Sequence, residues 1–520
     1  MQLSVPQRGP ADRDSFPVEP ADVEQWLAGL SLASENDARE IHRGLKHSNR
    51  LHNDPVRRRA VLERFLPVLR DLHARLAELT RAQPLPLVRE FAREVALVEA
   101  LLREEAFAFK ILLADSAGAG PEPEDARLAM LALARRADVI VHGYRRLPDA
   151  LFEDAHALYT LSESHGLLGA GGSTGIPGIA DHYHYLLLLS VADTHQIRAR
   201  QLPLALDFLR EAAAADVTLE HVAPEALTDV SAHGDHAFAV DLARGTRPER
   251  VASLLVAEPD TLRLFDVAPV LARVDRAIGH TRTVRGNTLG VDVLERQTLG
   301  RLRTAFGGER VRRGARTVAN VAQPALFGHK EITTRLLFDS AHADSPDDAA
   351  TAALEGEGWT LVNRSAQGAC LHHPACLPGT VQVGELVSLD APLAESGSEP
   401  AGERAATLLG TVRWVRSGNG AEVRLGLEYL ARGVMPVSVM PTAARPTAAR
   451  PITDGETAVA ENALIIACKV QQSIVQTILL PPYLHEVGAQ LTARQGNRSR
   501  RLRLRTALQT NSLFGHFVIE

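Results

Sequence analysis

The hydrophobic positions of this chain change their period once, near residue 307: before it they recur at helical spacing, and after it they alternate. In Pro55–Thr80, residues Val61, Leu62, Phe65, Leu66, Val68, Leu69, Leu72 and Leu76 form one broad apolar stripe, and Arg and Glu fill the opposite face. Asn53 and Asp54 are capping candidates, and Pro55 suits a first helical turn, where its missing N–H leaves nothing unpaired. Similar stripes predict helices over 87–115, 124–146, 180–200 and 289–305, separated by Pro and Gly clusters such as 118–123. Between 217 and 285 the period is less regular, and 236–242 and 262–268 read as strands of a small mixed insert.

Beyond 307, Val423, Leu425, Leu427 and Tyr429 share one strand face, while Arg424, Gly426 and Glu428 share the other. Val412 and Trp414 repeat the alternation within 409–416, and Ser417-Gly418-Asn419-Gly420 supplies turn chemistry, which together predict a β-hairpin. Residues 441–451 hold two copies of Pro-Thr-Ala-Ala-Arg, which favours an extended connector. Strands are predicted after it at 463–467, 474–480, 500–508 and 514–519. In the third of these, Arg501, Arg503 and Arg505 alternate with Leu502 and Leu504, which makes a solvated basic face over a half-buried apolar one.

The pattern predicts a multidomain α+β protein. A flexible tail occupies 1–20, and a mainly α-helical domain occupies 21–305, with its mixed insert near 217–285. A β domain follows over 306–432, then a Pro/Ala-rich linker over 433–455 and a β-rich C-terminal segment over 456–520. Composition supports a globular chain, with 45% hydrophobic and 23% charged residues in 520. A formal net charge of −6 excludes a chain-wide basic field for nucleic acid or an acidic membrane. Cys370, Cys376 and Cys468 are too few for a disulfide framework and suit a reducing compartment. The first fifteen residues lack the apolar core of a secretory signal, and apolar runs such as 185–191 are too short to span a bilayer. A cytoplasmic location without membrane insertion is expected.

Catalytic chemistry is not in evidence. Gly171-Gly172-Ser173-Thr174-Gly175 fits the pattern of a nucleophile elbow, but that device needs a strand before the serine, and 155–164 reads as helix. His182, His184 and His195 follow it without forming a triad by sequence. Cys370, His372, His373 and Cys376 lie within seven residues, but the second pair of a structural zinc site is missing. The basic strand lacks the interleaved aromatics of a base-stacking surface, so no nucleic-acid partner is expected. A non-enzymatic protein with no cofactor or metal is the expectation, and the helices over 55–115 offer a groove for a protein partner.

One segment does carry ligand chemistry. In Asn363-Arg364-Ser365-Ala366-Gln367-Gly368, the asparagine offers amide donors and a carbonyl acceptor, the serine a hydroxyl, and the glycine a place for close backbone approach. Trp359, Leu361 and Val362 lead into it and Ala369-Cys370-Leu371 leads out. Upstream, Arg312-Arg313-Gly314-Ala315-Arg316 sets out guanidinium forks that match phosphate oxygens and stack on purines. With the hairpin over 409–430, these residues resemble a PilZ domain, the small antiparallel β-barrel that binds cyclic di-GMP, over 306–432. The resemblance implies a bacterial signalling receptor in which Arg312, Arg313, Arg316, Asn363, Ser365 and Gly368 hold cyclic di-GMP. Binding would be relayed to the helical domain or to a partner protein. The alternative is a nucleotide-independent protein–protein adaptor with a degenerate PilZ barrel. In the family the arginines precede the Asn motif by roughly thirty residues, whereas Arg316 and Asn363 are 47 apart. The acidic, small-residue stretch 341–357 has the length and character of an insertion that accounts for the difference.

Overall fold

The computed structural model describes residues 3–10, 16–31, 34–80, 85–116, 120–169, 176–221, 236–251, 261–283, 291–307, 315–341, 358–377, 379–390, 407–418, 420–442, 460–470, 473–482 and 484–520. They form two compact units, divided between Val311 and Arg312. This is a mixed α+β architecture, helical first and β-rich afterwards.

The first unit carries α1 (Pro20–Ala28), α2 (Glu35–Arg50), α3 (Pro55–Thr80), α4 (Arg89–Asp115), α5 (Pro123–His142), α6 (Asp149–Ser164), α7 (Ile179–Val191) and α8 (Leu202–Asp216). The stripe of α3 does what its spacing predicts, burying Val61, Leu62, Phe65, Leu69 and Leu72 in one core with Leu101, Phe109 and Leu112 of α4 and Leu133 of α5. Asp54 starts α3 by accepting the backbone N–H of Arg57 at 2.9 Å. The mixed insert is a four-stranded sheet of β1 (Glu220–His221), β2 (Ala237–Asp241), β3 (Glu249–Arg250) and β4 (Leu262–Asp266), in the order β1-β4-β2-β3. Both strands expected there form, and they pair antiparallel, Phe238 against Phe265. After β4 the insert continues as a helix, α9 (Ala268–Thr283), which α10 (Val291–Phe306) follows.

The chain start, expected to be a loose tail, is tied down where it is described. Gly9 bridges Leu51, accepting from His52 N and donating to Arg50 O. Ser4 bonds both Asp154 (2.5 Å) and Lys110 Nζ (3.0 Å), and Lys110 is wholly buried against Asp154 at 2.6 Å. A buried ammonium is tolerable only with such partners, so the chain start completes a charge site of α4 and α6.

The second unit holds two β structures. One is a seven-stranded antiparallel sheet of β5 (Thr317–Ala322), β6 (Ala325–Phe327), β7 (Thr360–Arg364), β8 (Gly368–His373), β9 (Leu386–Asp390), β10 (Thr407–Ser417) and β11 (Val423–Arg432), ordered β5-β7-β8-β11-β10-β9-β6. Its edge strands β5 and β6 follow each other in the chain, so the sheet curls on itself without a closing ladder. Gln323 stands at that seam, its N–H on Trp359 O (2.9 Å) and its amide on Asp390 O (3.1 Å). The expected hairpin is β10–β11, and Val412, Val415, Val423 and Leu425 are fully buried. An unforeseen helix, α11 (His329–Ala341), precedes β7.

Hydrogen-bonded closure occurs instead in the C-terminal segment, a six-stranded antiparallel barrel of β12 (Val434–Pro441), β13 (Glu461–Val470), β14 (Ser473–Leu480), β15 (Gln490–Gln495), β16 (Arg498–Thr510) and β17 (Gly515–Ile519). Val434–Pro441 falls in the expected linker yet pairs with both β13 and β15. The repeat residues from 443 onward lie outside the described residues. Val437, Ile465, Ile478, Leu491, Leu504 and Phe517 fill the barrel. A second apolar layer joins the outer faces of β13 and β14 (Leu464, Ile466, Leu479) to Ile332 of α11 and to Leu386 and Leu409 of the curled sheet.

Candidate functional site

The hairpin β7–β8 presents the Asn363–Gly368 segment. Ser365 closes its turn: its N–H donates to Gly368 O (2.8 Å), and its hydroxyl donates to the same oxygen (3.3 Å) and accepts from Gln367 N (3.4 Å). Gln367 O in turn accepts Tyr429 N (2.9 Å), pinning the turn to β11. Gly368 lies opposite Glu428, and a Cβ on it would stand 2.1 Å from Leu427 O. Only glycine lets β8 lie this close to β11.

Asn363 differs from its neighbours in the motif. It sits between Val318 of β5 and Cys370 of β8, and its buried side-chain Oδ1 has no hydrogen-bond partner among the described residues. An unpaired buried carbonyl is costly, and most such groups in folded proteins find a donor. Among the described residues this one has not.

The register also fixes Arg316. Thr317 pairs with Arg364, so Arg316, exposed at the entry to β5, comes level with Ser365. Arg312 and Arg313 lie outside the described residues, as do residues 342–357 of the expected insertion. The chain between Arg316 and Asn363 is nonetheless occupied by β5, β6 and α11, so an added helix separates the two motifs as well as any loop.

Two cations missed in the sequence join Arg316. Burial raises the pKa of the Cys370 thiol, and Arg316, Arg424 and Arg416 all oppose that rise, so the three guanidinium groups share its neighbourhood. Arg416 lies 5.2 Å from the Trp414 ring, and Trp414 covers Gly426, the residue opposite Cys370. One row across the outer face therefore runs Val318, Asn363, Cys370, Gly426, Trp414. Once the hairpin register is granted, alternation puts Arg424 and Arg416 on that face. Burial likewise raises the pKa of the Tyr429 hydroxyl, and Arg364 and Arg432 oppose it.

Residues 21–224 are similar to a family described as the N-terminal domain of the cyclic-di-GMP receptor FimW. The match spans α1 to α8, about two fifths of the chain, and lies wholly in the first unit. No curated protein and no solved structure matches the chain. The helical region, which carried no family signal in its residue pattern, is thus where the family likeness lies.

Two other segments carried candidate chemistry in the sequence. Residues 170–175, with the serine of the supposed elbow, lie outside the described residues, but helix α6 precedes them in place of a strand. His372 faces Glu422 at 3.2 Å, the His373 ring nitrogen accepts Ala375 N, and the Cys376 thiol meets the Thr380 hydroxyl at 2.9 Å. All three cysteines are buried and free. Among the described residues no group of His, Cys, Asp or Glu could hold a metal ion, and no helix is long and apolar enough to cross a membrane.

Proposed function

We propose that the protein is a cyclic di-GMP receptor whose PilZ-like sheet in the second unit holds the dinucleotide on its outer face. The observation that carries this reading is the open, buried Oδ1 of Asn363, flanked by Arg316 and backed by Arg416 and Arg424. A guanine edge carries the N–H donors that this oxygen lacks, and the guanidinium groups match two phosphates. Similarity of the first unit to a part of a named cyclic-di-GMP receptor supports the same ligand from an independent stretch of chain. In this reading Arg312, Arg313, Arg316 and Asn363 contact the ligand, while Ser365 and Gly368 shape the turn that presents them. The arginines lie where the chain passes from one unit to the next. Ligand held by them would bias the helical unit or a partner protein bound to it. The reading includes no catalytic step.

Titration of the full chain with cyclic di-GMP by calorimetry tests this. Micromolar or tighter binding is expected, weakened at least tenfold in an Arg312→Ala/Arg316→Ala double variant. No heat at high micromolar ligand, or equal affinity in the variant, overturns the reading in favour of a nucleotide-independent adaptor.

A further inference from the structure

The C-terminal barrel concentrates its charge at one end. All six of its arginines among the described residues, Arg494, Arg498, Arg500, Arg501, Arg503 and Arg505, fall on β15 and β16, and all are exposed. Only Arg505 has a carboxylate within ion-pair distance among the described residues, that of Glu520. Glu520 also faces Arg503. Glu461, the acid of β13, lies at the far end of its strand and is held by His485 at 2.9 Å.

Two sets of cations arise from the pleat. Arg501 and Arg503 stand opposite Thr492 and Gln490 on the outer wall, and Arg494 stands opposite Ser499. Arg500 pairs with Ala493, whose side chain belongs to the barrel interior, so Arg500 rises from the open end. There it crosses to Gln476 of β14 at 2.9 Å. Gln476 and Ile474 share the alternation of Ile478 and Leu480, both core residues. They are the continuation of the interior past the point where it is covered, and Ile474 is 79% exposed. Lys469 pairs with Ile474 across β13–β14. This end of the barrel thus presents an uncovered isoleucine paired with Lys469, with Arg498 and Arg500 on β16 and Arg494, Arg501 and Arg503 on the adjoining wall.

We propose that this end of the barrel docks on an anionic lipid surface, seating Ile474 among the headgroups and the arginines on their phosphates. A basic rim about an exposed apolar residue matches the two components of an interfacial site. The described residues of this end carry no aromatic side chain on which bases could stack, which favours lipid over single-stranded nucleic acid. Acids elsewhere in the chain do not cancel the patch, because exposed charges more than about 10 Å apart are screened at physiological salt. The inference stands apart from the dinucleotide reading and uses none of its residues.

Flotation of the full chain with vesicles tests it. The chain should partition to vesicles of mixed phosphatidylglycerol and phosphatidylcholine and not to phosphatidylcholine alone, and added salt should release it. Each arginine near such a surface contributes about fivefold to partitioning, so Arg501→Gln/Arg503→Gln should weaken it by more than tenfold. Ile474→Ser should lower the portion that salt leaves in place. Unchanged circular dichroism in both variants keeps the comparison valid, and a second pair, Arg494→Gln/Arg498→Gln, replaces any variant that misfolds. Absence of anionic-vesicle binding, or binding indifferent to the substitutions, overturns the proposal. So does a single-stranded oligonucleotide that displaces the vesicles at equal phosphate, which would assign the patch to nucleic acid.

Discussion

Asn363, Ser365 and Gly368 read from the sequence as one ligand motif, yet their side chains do three different things. Ser365 is occupied by its own turn and Gly368 by the approach of β11, while Asn363 alone keeps an open acceptor. Asn363→Ala should therefore lower cyclic di-GMP affinity at least tenfold and leave the melting temperature unchanged, since no native bond of Oδ1 is lost. Gly368→Ala should instead destabilise the second unit by about 1–3 kcal/mol through overpacking, seen as an earlier transition in urea. The residue types were legible because chemistry is written in them. Their division of labour was not, because it depends on how closely β8 and β11 lie and on the pairing of β5 with β7. Arg416 and Arg424 escaped for the same reason, being neighbours of the motif only through the sheet.

At the scale of elements, the long stripes of α3 and α4 announced themselves, and so did the Arg/Leu alternation of β16. Strand β12 did not, since Pro436 and Pro441 give it the look of a linker. The structure tolerates Pro436 because pairing with β15 begins only at Ser438, so the missing N–H falls where one side of the strand is unpaired. The helices also carry buried charge that no periodicity could reveal. Replacing Asp154 of α6 by Ala strands the Lys110 ammonium of α4 and should cost about 3–5 kcal/mol in chemical denaturation. Glu105 of α4 is buried, one oxygen unpaired among the described residues and Arg135 3.8 Å from the other, and burial raises its pKa from 4.5 to about 7. The folded state then binds the proton more tightly than the unfolded chain. This group's contribution is complete below pH 4.5 and fades as pH rises to 7, a loss on the order of 3 kcal/mol. Half-buried His73 and His182 and buried His184, pulled down to about 4, act with the opposite sign, adding stability as pH climbs from 4 to 6.5. A Glu105→Gln variant isolates the first effect: its stability relative to the parent should rise steadily between pH 5 and 7.5.

For the molecule as a whole, two compact units divide between Val311 and Arg312, while the hydrophobic period changes near 307. Each unit has its own apolar interior. Fragments ending at Gly307 and beginning at Gly308 should therefore each fold and unfold cooperatively, and the second should retain the dinucleotide affinity of the parent. A fragment that stays unfolded alone would show that the division is not one of stability. The joint inside the second unit is of another kind. Only Gly433, with φ of +80°, separates β11 from β12, and the apolar layer behind it draws on both sides. Ile332, Leu386 and Leu409 come from before the joint and Leu464, Ile466, Leu479 and Phe514 from after it. The curled sheet is therefore not a portable module. Grafted into another protein as residues 306–432, it would carry an uncovered oily wall, and its natural cover is encoded thirty and more positions downstream.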